Sequence, residues 1–128
     1  MAFATEAPLM RIAASALIVV VAGLHVLFLV LEMFLWQTPF GRRTFHTTPE
    51  VAATSAVLAA NQGLYNGFLA AGLLWALIFL GVPSGRPVLT FFLGCVIVAG
   101  IYGAATVSRT ILLIQSMPAV IALALLWL

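Results

Sequence analysis

Charge is what this chain has least of. Only 6% of its 128 residues are charged, and the formal charges reduce to Arg11, Arg42, Arg43, Arg86, Arg109, Glu6, Glu32 and Glu50. A soluble domain needs a polar shell around its core, and so few ions in a chain that is 65% hydrophobic cannot supply one. Lipid is the expected solvent, as the mean hydropathy of +1.26 also indicates. The net charge of +2 comes from scattered arginines with no basic stripe, which excludes a nucleic-acid partner. Cysteine is nearly absent too: Cys95 alone rules out an internal disulfide and a cysteine-rich metal site, and it reads as a small packing residue. No glycine loop can cradle a phosphate chain, no serine sits in a nucleophile elbow, and His25 and His46 lie at different depths, so no cofactor and no metal are expected.

What is there is a set of four apolar segments separated by turn signals, each near the roughly 20 residues that a membrane-spanning helix needs. The spacing predicts spans at about residues 12–36, 51–81, 88–107 and 111–128, forming one all-α domain. The first follows Arg11 as a signal peptide would, but its apolar stretch is too long for one and reads as a retained span. Thr48, Pro49 and Glu50 open the second: a hydroxyl to cap, a proline for the first turn and a carboxylate for the positive end of the dipole. Val82 to Pro87 reads as a turn, and Ser108, Arg109 and Thr110 as a short connection. Four spans with short links predict a transmembrane bundle, up-down-up-down, with both termini on the same side. Arg42, Arg43 and Arg109 against Arg11 and Arg86 favour a cytoplasmic first loop. The connector from Gln37 to Thr47 mixes aromatic and basic residues and suits the headgroup region, either as an anchor or as a binder of an anionic group.

Asn61, Gln62, Tyr65 and Asn66 stand out inside this apolar background. Such groups lose their water partners in lipid and must meet one another, a neighbouring helix or a ligand. On a helix the four cover an arc of about 140°, with Ala59, Gly63, Gly67 and Ala71 as a small-residue ridge roughly opposite. The arc reads either as a hydrogen-bonded packing seam or as one wall of a polar pocket. His25 and Glu32, seven apart, share a stripe on the first helix, with Trp36 near its end. His25 and Asn61 each lie about 16 Å from the first-loop side, so antiparallel packing would bring them level. Tyr102 and Arg109 add a phenol and a cation from the third span. All these residues can converge in one half of the bilayer. Glu32 then pairs with Arg109 or reaches the interface, or it joins His25 as a proton carrier beside a ligand held by Asn61, Gln62, Tyr65, Asn66, Tyr102, Arg109 and Trp36. Glu6 and His46 read as a terminal charge and a solvated side chain.

The runs Leu31 to Trp36, Gly41-Arg42 with Phe45, and Leu58 to Phe68 resemble a bacterial family of small membrane proteins classed as a domain of unknown function, number thirteen-oh-four. Asn61-Gln62-Gly63-Leu64-Tyr65-Asn66-Gly67 is the most specific part. The resemblance implies a compact four-helix integral membrane protein and brings no established activity, cofactor or catalytic residue.

Three functions fit these residues. One is an intramembrane pocket that binds a lipophilic small molecule or membrane lipid, or acts on it by acid/base chemistry, leaving enzyme activity open. The second is an accessory subunit whose polar cluster packs helices in a homo-oligomer or against another membrane protein. The third is a small proton-coupled exporter. Each places the chain in the bacterial cytoplasmic (inner) membrane as a multi-pass protein.

Overall fold

Two Thr-Pro pairs and one glycine set the helix boundaries. In the computed structural model, which describes residues 3–128 with side chains from Pro8 onward, about 90% of the chain is helical and no strand occurs among the described residues. Glu6 therefore lies outside the described side chains. Helix α1 spans Phe3–Met33, α2 Pro39–Phe45, α3 Pro49–Trp75, α4 Gly81–Thr106 and α5 Met117–Trp127. Two π-helical segments interrupt this order, Ala76–Leu80 after α3 and Leu112–Ser116 before α5.

The boundaries depart from the expected ones for identifiable reasons. Helix α1 begins well before Ile12 and ends at Met33, short of Trp36. The connector contains a helix of its own, because Thr38 accepts a bond from the Gly41 N–H and Pro39 occupies the first turn. That is the same device by which Thr48 and Pro49 start α3, where Thr48 accepts from the Val51 N–H. The turn expected over Val82–Pro87 is helical instead. Gly81 alone makes the corner, with φ 72° and ψ 165°, a conformation that a side chain would strain. Pro83 then falls in the first turn of α4, where its missing N–H has no partner to lose.

Glycines mark where helices approach. A Cβ on Gly63 would come within 2.7 Å of Met33 and 3.1 Å of Glu32, and one on Gly67 would reach Leu29, so these residues and Ala59 form the α1–α3 seam. Gly72 lies against the Phe92 ring and Gly85 against the Ala76 carbonyl, joining α3 and its π segment to α4. Gly100 and Gly103 face Ser116 and Ile111. Helix α1 packs on α3 and α5, and α4 packs on the other sides of the same two. The shared core is aliphatic and small-residue rich, with Ile18, Ala22, Leu73, Leu89, Leu93 and Ala122 buried together.

The outside is as apolar as the inside. Val57, Phe79, Ile78, Phe91 and Val98 are each more than 60% exposed. Two helical stretches, Pro8–Met33 and Pro49–Thr106, are long and apolar enough to cross a membrane, and the second doubles back at Gly81.

Candidate functional site

The α1–α3 seam carries the polar residues of interest on its flank. Asn66 Nδ2 donates to Glu32 Oε2 at 2.7 Å, linking the two helices where Gly63 and Gly67 bring their backbones close. The helix ends one residue after Glu32, and Trp36, four residues after it, turns back toward α3, donating from Nε1 to Ser55 Oγ at 3.1 Å. Its ring packs on Phe45 of α2 at 4.7 Å between centroids. Gly41 permits this arrangement, because any side chain there would overlap the Leu35 carbonyl. Between these contacts an open cleft of about 260 Å³ is lined by Glu32, Met33, Phe34, Trp36, Gln37, Thr38 and Ala56. The carboxylate is half-buried at its edge. Among the described residues only Oε2 is bonded, so Oε1 remains available to a donor.

The expected convergence is only partly met. Ser55, Gln62 and Asn66 are spaced seven and four apart, which puts Gln62 on the cleft flank of α3. Asn61 and Tyr65 lie on the opposite side of the helix, and both are exposed. The reason is the ridge: Gly63 and Gly67 take the α1 contact, so the arc behind them is turned outward and only its Asn66 edge reaches back. Because Gly63 meets Glu32 and Met33, Asn61 stands level with the end of α1 and not with His25. Tyr102 is 71% exposed on α4, and Arg109 is exposed in the link that follows. No bond joins Glu32 to Arg109 among the described residues; the partner is Asn66.

His25 belongs to a different group. It is fully buried about two turns from Glu32, and its ring faces the π-helical segment before α5. Nδ1 lies 2.8 Å from the Val21 carbonyl, which can only accept, so that nitrogen carries the hydrogen. Nε2 is then an acceptor for the Gln115 amide at 3.5 Å. Phe28 closes the ring's other side edge-on at 5.7 Å. Beside Gln115, Ser116 Oγ donates to the Ile97 carbonyl at 3.1 Å and fills the space above Gly100. Glu32 and His25 therefore share a stripe on α1 without sharing a site.

Sequence reasoning missed Ser55, Gln115 and Ser116. The signal for the last two was present, since a Gln-Ser pair inside the apolar run from Ile111 incurs the same cost in lipid as the Asn61 cluster. Both fall in a π-helical segment, a form often found where side chains must be re-aimed.

These elements define a small all-helical protein with a polar cleft on an apolar bundle, in which no group of three metal-ligating side chains occurs among the described residues. The chain belongs to the family described as a protein of unknown function (DUF1304), whose pattern matches residues 19–127. It is similar to the uncharacterized protein YpaA of Lactococcus lactis subsp. lactis (strain IL1403), with 32% identity over 95 residues that cover 73% of this chain and 78% of that one. No solved structure matches. Of the runs that carry the family resemblance, Leu31 to Trp36 supplies Glu32, Met33, Phe34 and Trp36 to the cleft lining, and Leu58 to Phe68 supplies Asn66, which holds Glu32.

Proposed function

We propose that the protein is an integral membrane protein of the bacterial cytoplasmic (inner) membrane, a four-span bundle running up-down-up-down with both termini on one side. The contacts support this reading: Gly63 with Met33 and Gly67 with Leu29, Gly72 with Phe92 and Gly85 with Ala76, and Gly100 with Ser116 and Gly103 with Ile111 each run in opposite chain order. The exposed aliphatic and aromatic side chains would face lipid. Arg42, Arg43 and Arg109 outnumber Arg11 and Arg86, which favours a cytoplasmic α2.

Its function in this reading is to hold the polar end of a lipophilic small molecule at the Glu32 cleft. The observation that carries the proposal is a half-buried carboxylate steadied by Asn66 on one oxygen, at the edge of an open cleft walled by Trp36. Binding is favoured over acid/base catalysis because the second proton carrier, His25, is buried against Gln115 of the π-helical segment. Native mass spectrometry of gently purified protein tests it. A lipophilic adduct retained by the natural chain should be lost from Glu32→Gln and Asn66→Ala while helicity is unchanged; full retention in both variants would discard the proposal.

A second reading rests on the exposure of Asn61 and Tyr65. An amide and a phenol facing lipid gain from a partner that covers them, so the outward face of α3 is suited to a second copy or another membrane subunit. Crosslinking in native membranes should give an oligomer that Asn61→Leu dissolves. A crosslinking pattern unaffected by that change rules the face out.

A further inference from the structure

Helix α2 does more than connect α1 to α3. Its last turn carries Arg42 and Arg43, and the chain leaves it through His46, a non-glycine residue at φ 54°. The Arg42 carbonyl accepts the N–H groups of both His46 and Thr47, the latter at 3.0 Å, which fixes the Thr47 hydroxyl beside the arginine. Pro39, Arg42, Arg43, His46 and Thr47 then line an open cavity of about 560 Å³.

Among the described residues three solvent-shielded side-chain atoms lack a hydrogen-bond partner, and two of them belong to residues of this lining, Arg42 Nε and Thr47 Oγ1, the third being Arg86 Nε. Buried donors in native proteins are normally satisfied, so the fall of two of the three orphans on residues of one cavity singles out this lining. A cation in the last turn of a helix also complements its dipole, but that role needs neither a cavity nor an unbonded Nε. Glu50, at the start of α3, lies within reach of the Arg42 charge. It is fully exposed and held below the usual carboxylate range by its own backbone N–H, then by the Thr48 hydroxyl, and least by the Arg42 charge. Two arginines against one exposed carboxylate leave the lining cationic.

We propose that the α2 pocket binds a phosphoryl group, and that the headgroup of an anionic phospholipid supplies it. Guanidinium forks match phosphate oxygens two at a time, and a hydroxyl can donate to a third. The bundle end beside Trp36 and Phe45 is where headgroups would meet the chain in the membrane reading given above, and the proposal depends on that reading only for the source of the phosphate. The site is separate from the Glu32 cleft, so either can fail alone.

The test uses the full chain in neutral detergent, titrated with short-chain phosphatidic acid or phosphatidylcholine and followed by native mass spectrometry. One phosphatidic acid per chain is expected, bound at least tenfold more tightly than phosphatidylcholine. Arg42→Gln with Arg43→Gln should weaken it tenfold or more, whereas Arg86→Gln, which removes a cation from the other end of the bundle, should not. Thr47→Val keeps every charge and should weaken binding several-fold, separating a built site from diffuse attraction. Inorganic phosphate at millimolar concentration distinguishes the sources: displacement of the lipid assigns the pocket to free phosphate, and persistence assigns it to the headgroup. Equal binding of the two lipids, equal loss in Arg86→Gln, or wild-type binding in both the arginine and the Thr47 variants overturns the proposal.

Discussion

Asn66 donates to Glu32 across the α1–α3 seam at 2.7 Å, and this bond is the one polar link between the arc on α3 and the acid on α1. A hydrogen bond to a charged or partly charged carboxyl contributes about 1.5–3 kcal/mol. Asn66→Ala should therefore lower the stability of the purified protein by about that amount. Chemical unfolding in mixed micelles, with Asn61→Ala as the exposed comparison, measures it, and equal effects from both changes would show that the bond contributes nothing.

Close approach along the same seam makes a second expectation. Gly63→Ala must displace the Met33 side chain, 2.7 Å from the new methyl, and press on the Leu29 carbonyl at 3.2 Å. Overpacking of this kind costs about 1–3 kcal/mol. Gly94 has nothing within 4 Å of its missing Cβ, so Gly94→Ala should be neutral or stabilise the helix by about 0.5–1 kcal/mol. In one detergent the melting temperature of Gly63→Ala should fall while that of Gly94→Ala stays level or rises.

The contact between α4 and the π-helical segment before α5 predicts a compensating pair. Gly100→Ala collides with the Ser116 hydroxyl, and Ser116→Ala removes that oxygen together with its bond to Ile97. The double change should be less harmful than the sum of the two singles by about 1 kcal/mol. Simple additivity in a double-mutant cycle would mean that the two sites do not touch in the membrane.

Gly81→Ala should be among the costliest single substitutions outside the core. Its φ of 72° with ψ of 165° is a region open essentially to glycine, and forcing a side chain into it costs about 1–3 kcal/mol. Loss of stability without loss of helicity, read by circular dichroism, is the expected result; an unchanged midpoint would mean that the corner re-forms at a neighbouring residue.

Helix-start chemistry was legible in the chain and orientation was not. Thr48-Pro49-Glu50 announced α3, and the identical Thr38-Pro39 signal announced α2 but was obscured by the aromatic and basic residues around it. Pro83 and Pro87 read as a loop because proline usually ends helices, whereas the corner needed only Gly81 and left Pro83 in a first turn. The polar arc and the small ridge were both visible on α3. Spacing alone does not say which of two opposite faces meets α1, and close packing at Gly63 and Gly67 decided in favour of the ridge. His25 and Glu32 illustrate the same limit: a shared stripe fixes their angle on one helix, while their different partners, Gln115 of the π-helical segment and Asn66 of α3, come from the neighbours' registers.

The corner at Gly81 shapes what the molecule can show to its surroundings. With α3 continued by the apolar π-helical segment Ala76–Leu80 up to the start of α4 at Gly81, this link offers little polar chain for an enzyme, a binding protein or an antibody to grip. The opposite end of the same hairpin carries α2, its arginines and the Trp36 cleft. If the chain spans a membrane as proposed above, traffic with aqueous partners would be biased to one leaflet, and a ligand arriving from the Gly81 end would have to travel through lipid to reach Glu32.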